Sequence, residues 1–486
     1  MARSRFAWLA LIGLIGLVLA PDLALASDHP EGLSLGAMLP MWTCIPFAGI
    51  LLSIALFPLV APEFWHHHYP KVAAFWAVAF GLPFMIGYGR AAFDSIVHIY
   101  LIDYVPFIIL LWSLFTISGG ILVRGTLKGS PVVNVVLLLI GTLLASVVGT
   151  TGASMLLIRP LIRANGWRIH KTHLVVFFIF LVSNIGGALT PLGDPPLFLG
   201  FLHSVPFFWT LNLFSPYAFL SVLLLTGFFI LDMWLYRKEP EDARSRMQAE
   251  ESVPLKLVGL HNFLYLGGVV GFVLLSGSVK LGGFHLGHTE LTYQNLIRDI
   301  GLVALGMASL RTTSRALRTE NQFSWGPIAE VAYLFAGIFM TIIPALAILG
   351  AGTDGAMGWL VEGVKSDASY FWVTGGLSSF LDNAPTYLTF FQTALGGLHC
   401  DPGAVCGEPE KVALLIESQP RTLLAVSAGA VFMGANTYIG NAPNFMVKAI
   451  AEESGVAMPS FFGYILRWSL PILIPCFIVL TLVFFL

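Results

Sequence analysis

The amino-acid sequence predicts an all-α polytopic membrane protein arranged as an inverted repeat, with two re-entrant hairpins and two broken transmembrane helices. Three observations predict it. Of 486 residues, 57% are hydrophobic and 11% are charged, against about 25% charge in soluble domains, and the mean hydropathy is +0.82. Apolar runs of about 20 residues, enough to cross a hydrocarbon core, recur along the chain. Two of these runs are interrupted by polar, proline- and glycine-rich stretches, and two further apolar stretches do not read as simple crossings. The net charge of -2 carries no information on partners, because here charge matters loop by loop. No basic stripe suggests nucleic acid. No nucleophile-base pair, phosphate loop or Cys/His zinc spacing suggests an enzyme or a cofactor, so membrane lipid and a small ion or organic anion are the expected partners.

Residues 1–26 read as a signal peptide, with Arg3 and Arg5 before an apolar run and Ala24-Leu-Ala26 as a small-x-small cleavage site. Ser27 then starts outside, the arrangement of a multi-pass bacterial inner (cell) membrane protein. Residues 27–70 hold an N-terminal span (36–60) and a short solvated loop containing His66-His67-His68. The first repeat, 71–236, contains spans 71–88 and 104–122, a hairpin 131–165, a broken helix 172–202 and a span 212–236. A cytoplasmic linker with no role beyond solvation and a connecting span follow over 237–293. The second repeat, 294–486, mirrors the first with spans 294–311 and 327–350, hairpin 370–395, broken helix 421–449 and span 461–485. From an outside Ser27, the loops that hold Arg124, Lys128, Arg237, Lys238, Arg244, Arg311, Arg315 and Arg318 are cytoplasmic, as the positive-inside rule requires.

The first hairpin is inferred from its ends. Lys128 precedes it and Arg159, Arg163, Arg168 and Lys171 follow its turn, so one full crossing would leave a cationic end outside. Its tip then carries Thr150, Thr151 and Ser154 to mid-depth. The tip of the second is Asp382-Asn383-Ala-Pro-Thr386.

The stretch Ser183-Asn-Ile-Gly-Gly-Ala-Leu-Thr-Pro-Leu-Gly-Asp-Pro-Pro196 cannot continue a helix, because proline removes a donor and clashes one turn back. Unsatisfied backbone in hydrocarbon is costly, so the break must lie inside protein or beside a cavity. Gly434-Ala-Asn-Thr-Tyr-Ile-Gly-Asn-Ala-Pro-Asn444 interrupts the second half in the same way. Interrupted helices of this kind hold ions and substrates at mid-membrane in secondary transporters. Asp194 and Asp382 are the acids expected within the membrane, and such groups are functional candidates by default. Protons and Na⁺ would compete for either carboxylate, and helix capping is the structural alternative for both. Ser183, Asn184, Thr190, Asn383, Asn436, Thr437, Asn441 and Asn444 supply uncharged oxygens suited to a hard ion such as Na⁺. No other metal is expected. Asp299 and Glu330 are expected near span ends, hydrated. Cys400 and Cys406 flank a Pro-Gly turn signal in a loop placed outside, and a disulfide between them is expected.

At these stretches the chain resembles the ion transporter superfamily of NhaD-type sodium/proton antiporters, ArsB-type arsenite permeases and citrate or dicarboxylate carriers. Ser183 to Asp194 looks like the broken-helix motif of the NhaD antiporters, Leu381-Asp-Asn-Ala-Pro385 like the superfamily's outer hairpin tip, and Gly434 to Asn441 like the second broken helix of the citrate carriers. Pro195 and Pro196 stand where NhaD proteins carry hydroxyl residues. The resemblance, over residues 40–486, implies a scaffold and a moving transport domain, usually in a homodimer. It leaves two functions: a Na⁺/H⁺ antiporter, favoured by two core aspartates and no lysine or arginine near the breaks, or a Na⁺- or H⁺-coupled carrier of citrate-like anions.

Overall fold

The computed structural model describes residues 35–249, 253–286, 289–398 and 407–486. Residues 1–26, expected as a signal peptide, and Cys400 and Cys406, expected as a disulfide, lie outside the described residues. Among the described residues, eight helices are long and apolar enough to cross a membrane, and the chain is an all-α, multi-pass membrane protein.

Helix Ile45–Val60 is followed by a helical run from Pro62 to Ser118. At 1.5 Å per residue that run would be about 85 Å long, far more than a membrane. It is two helices joined by a kink at Gly89, whose φ of 50° and ψ of -119° are not helical. The loop expected over 61–70 is therefore helical, since Pro62 suits a first turn, and His66, His67 and His68 sit on its opening turns. Among the described residues no three His, Cys, Asp or Glu side chains group as a metal site.

The first hairpin has arms Pro131–Val148 and Thr150–Ala164 around Gly149, at φ 81°. Its base is closed by the Gly129 N–H donating to the Ala164 carbonyl at 2.9 Å and by reciprocal amide bonds between Asn134 and Asn165 at 3.1 and 2.8 Å. The second hairpin has arms Asp367–Phe380 and Asn383–Gly396. The first broken helix runs Thr172–Leu181, a short 3-10 turn Ile185–Leu189, then Pro195–Leu202. The second runs Pro420–Met433, Gly434–Asn436, then Ala442–Glu453.

These four interrupted elements pack on one another, and the uninterrupted helices frame them. Burial follows the division. Of the most apolar window in Thr172–Leu189, 89% is buried inside the protein, against 28% in Met41–Val60 and 22% in His261–Ser278. The helix with the broken backbone is thus wrapped in protein, where freed backbone groups are tolerated at membrane depth.

The linker differs from its expectation. It carries a helix, Glu241–Ala249, and a strand, Lys256–Val258, that pairs antiparallel with Leu122–Arg124 of the loop before the first hairpin. A second small ribbon joins Gly283–Leu286 to Thr289–Thr292. Both are short, and the first joins segments far apart in the chain, beyond the reach of local periodicity.

Candidate functional site

Asp194 is the centre on which all four breaks converge. It is the residue before the arm Pro195–Leu202, with extended φ and ψ of -142° and 142°, and its side chain is buried. One carboxylate oxygen accepts from the Thr150 hydroxyl and the Asn441 amide, each at 3.0 Å. The other accepts from the Asn383 amide at 2.6 Å. Thr150 and Asn383 are the first residues of the second arms of the two hairpins, and Asn441 is the residue before the arm Ala442–Glu453.

The two breaks share one local geometry. Thr190 and Thr437 are both extended and donate their hydroxyls to the carbonyls of Ser146 and Ser379 respectively. Each hydroxyl also accepts a backbone N–H two residues on, from Leu192 at 3.1 Å and Ile439 at 3.2 Å. Ser146 and Ser379 in turn donate to Gly186 and Met433, the residues before Gly187 and Gly434. Within each break two glycines cross in contact. A Cβ on Gly193 would lie 2.1 Å from the Gly187 carbonyl oxygen, and one on Gly440 would lie 2.5 Å from that of Gly434. Only glycine permits these approaches.

The remaining expected residues form a tight shell. Asn184 donates to the Ile179 carbonyl and to Asn444, both at 2.7 Å, and Asn444 donates to the Gly434 and Thr437 carbonyls at 2.9 Å. Asn441 also donates to the Ser183 carbonyl at 3.1 Å, and the Ser183 and Ser154 hydroxyls meet at 2.9 Å. Asn436 donates to Ser379 at 2.9 Å. The side-chain oxygens of Asn184, Asn383 and Asn436 are buried without a donor. Such acceptors are what a hard cation takes as ligands.

Three expected residues stand apart from the Asp194 shell. Thr386 returns its hydroxyl to the Asp382 carbonyl at 2.9 Å, and half-buried Thr151 takes no part in the Asp194 shell. Asp382 accepts from the Ala384 N–H at 3.1 Å and caps the arm Asn383–Gly396. The two aspartates therefore differ in their partners: both stand at a helix start, but Asp382 finds a backbone N–H there, whereas Pro195 and Pro196 offer Asp194 none.

Sequence reading missed Ser146 and Ser379, although both lie four positions before a hairpin-tip ligand of Asp194, Thr150 or Asn383; that shared spacing was the available signal. It also missed Arg298. This arginine is buried within the helix Tyr293–Thr312, and its guanidinium lies 5.9 Å from the ring centre of Phe198, one turn beyond Asp194. The expectation of no lysine or arginine near the breaks is corrected by Lys448, whose ammonium lies 5.5 Å from the ring centre of Tyr438 inside the second break. Asp299, expected to be hydrated, is instead ion-paired with Arg298 at 2.8 Å. Packing of one helix on another brought them there, which spacing in sequence does not encode.

A family model described as "Putative citrate transport" matches residues 36–485. The chain belongs to that family. It thus falls within the ion transporter and citrate carrier group that its broken helices resemble. No curated protein matches the chain.

Proposed function

We propose that this protein is a cation-coupled secondary carrier of citrate-like, multiply carboxylated anions. One observation carries the reading beyond the family: four half-helices begin within a single hydrogen-bonded shell, at Thr150, Asn383, Pro195 and Ala442. Each helix N-terminus carries roughly +0.5 charge, so about +2 faces the carboxylates of Asp194 and of Asp382, which caps the arm starting at Asn383. A coupling cation beside Asp194 and the donorless amide oxygens would tip that balance towards an anion at the helix ends. Pure Na⁺/H⁺ exchange is the second reading, favoured by one buried carboxylate whose hydrogen-bond partners are all neutral. The convergence of positive helix ends and the family membership favour the carrier.

Proteoliposomes decide between them. Labelled citrate uptake driven by a Na⁺ or proton gradient is expected. Na⁺-dependent collapse of a pH gradient in the absence of carboxylate, with no citrate uptake, would replace this reading with antiport. We also infer that both ends of the first hairpin face the cytoplasm. Single cysteines in place of Lys128 or Arg163 are then shielded from a membrane-impermeant reagent in whole cells, while one in place of Glu410 is labelled. Labelling at 163 would show that the first hairpin crosses completely.

A further inference from the structure

Asp103 stands in a π-helical turn, Ile99–Tyr104, within the run Pro62–Ser118. Such turns are uncommon and gather at functional sites. The frame fixes this one, because the Tyr100 and Tyr104 hydroxyls donate to the Ala336 and Ala332 carbonyls of helix Gly326–Gly350 at 2.7 and 2.9 Å. Across the boundary, His203 ends the arm Pro195–Leu202 of the first broken helix. Ser204 follows at φ 69°, and the Ser204 and Val205 N–H groups donate back to the Phe201 and Gly200 carbonyls at 3.3 and 2.9 Å, a Schellman closure that fixes the backbone carrying the ring. The third member, Glu408, opens helix Glu408–Ser418, which packs on the second hairpin and the second broken helix.

His203 and Asp103 are buried. The Nδ1 of His203 pairs with Glu408, inside the interrupted group, while Nε2 lies 2.9 Å from an oxygen of Asp103, across the boundary. The second contact lies off the line of a hydrogen bond, so charge holds it rather than direction. A neutral imidazole carries one N–H and one lone pair, and whichever tautomer formed, that lone pair would face a carboxylate. Imidazolium alone suits both neighbours. Among the described residues no other cation pairs with Asp103, so discharge of His203 leaves a buried carboxylate in the frame without its counter-charge, which is costly. From the surrounding elements, the hairpin arm Asn383–Gly396 brings Tyr387 against Gly200 and Gln392 to Glu408, and His98 adds its charge at Glu408. Helix Val105–Ser118 has no charged residue, and Glu410 and Arg421 are exposed. Glu330 of Gly326–Gly350 sits beside Trp65. Asp94 pairs with Arg90, and Arg298 and Asp299, paired with each other, share a small cavity with Leu101 and Ile102 of the π turn.

We propose that His203 is a proton-operated latch between the frame and the interrupted group: charged, it fastens the end of the first broken helix to Asp103 and slows the exchange of sides, and discharged, it lets go. This inference rests on the interrupted group moving against the frame, as the resemblance implies, and it holds for the carrier and the antiport readings alike. Alkali then speeds exchange by a route separate from the coupling charge at Asp194.

The test measures exchange of labelled for unlabelled citrate in proteoliposomes with the same pH on both sides, which removes any driving force. Labelled Na⁺ serves if citrate is not carried, so failure of the carrier reading leaves the latch open to test. D103N and H203Q, with thermal melting as the folding control, are each expected to exchange about fivefold faster than wild type at about pH 6 and to match it at about pH 10. A folded variant that keeps the wild-type rate across that range overturns the latch. Bridging D103C to H203C with a short bis-maleimide is expected to stop exchange in the double variant and in neither single one, which decides the matter if D103N and H203Q do not fold. Exchange that continues after mass analysis confirms the bridge shows that the contact need not open, and it also overturns the latch.

Discussion

At the end of each interrupted helix the backbone makes the same excursion, through a threonine tied to a hairpin serine and a pair of crossing glycines, yet one excursion ends in Asp194 and the other in Asn441. The scaffolding is shared and the chemistry is not. Both residues immediately precede a half-helix without their side chains capping it and share a hydrogen bond at 3.0 Å, but one of them alone can carry a charge. A site that needed two equal ion ligands would keep the same residue in both halves. Here the second half supplies amides that hold the carboxylate of the first, so a single charge is available for coupling.

The strongest way to break that comparison is D194N, which makes the two ends chemically alike. Coupled uptake is expected to fall roughly 100-fold, about 2.7 kcal/mol of barrier, with little change in melting temperature. Uptake near wild type would show that the charge is dispensable. The swap D194N/N441D sharpens the point, since recovery of uptake would mean that either half can carry the charge. Next in size are the crossing glycines. G193A and G440A each force a Cβ against backbone, and each is expected to destabilise by about 1–3 kcal/mol, the usual cost of overpacking, measured by thermal melting of purified protein. Equal losses fit equal scaffolding, whereas a loss in one half alone would show that the two turns bear different loads.

Asp382 gives a smaller effect. Asn caps a helix as well as Asp, so D382N should transport nearly as wild type, while D382A should cost about 1 kcal/mol of stability. Loss of uptake in folded D382N would restore a second functional acid. The smallest effect concerns His203, at the end of the first broken helix. It sits 2.9 Å from Asp103 of the frame and pairs with Glu408 beyond the second hairpin. Burial opposes its charge, but the carboxylates of Glu408 and Asp103 outweigh it and hold the imidazole well above its ordinary range. Because the folded state binds this proton more tightly, the contact stabilises at acid and neutral pH and is lost as pH rises through the raised value. Melting temperature should therefore fall towards alkaline pH more steeply in wild type than in H203Q. Superimposed curves from about pH 6 to about pH 10 would remove His203 from the account.

The interruptions themselves were legible because proline, glycine and asparagine inside an apolar run admit few conformations. Thr150, Asn383, Asp194 and Asn441 could be named from that alone. What joins them could not, because each bond to Asp194 crosses between elements far apart in the chain. The ribbon between Leu122–Arg124 and Lys256–Val258 was hidden for the same reason, and Arg298 read as an ordinary frame residue because its contact with Phe198 arises from helix packing. Gly89 escaped notice since a single glycine among apolar residues resembles any other, although its positive φ separates two helices. Asp382 and Asp194 both immediately precede a helical arm, and what separates them is that Asp382 takes the Ala384 N–H whereas Asp194, followed by two prolines without N–H groups, turns to side chains of other elements.

The long reach of the Asp194 hydrogen bonds also has a consequence during synthesis. Its partners Asn383 and Asn441 lie 189 and 247 residues further along the chain. At about 5–20 residues per second, the ribosome delivers Asn441 roughly 12–50 s after Asp194 has left the peptidyl-transferase centre. For that interval the first broken helix has neither its amide donors nor the protein that later encloses it. The nascent first half must meanwhile be sheltered by the insertion machinery or keep its polar break at the water-facing edge of the bilayer, and it closes into the membrane only when the second half arrives.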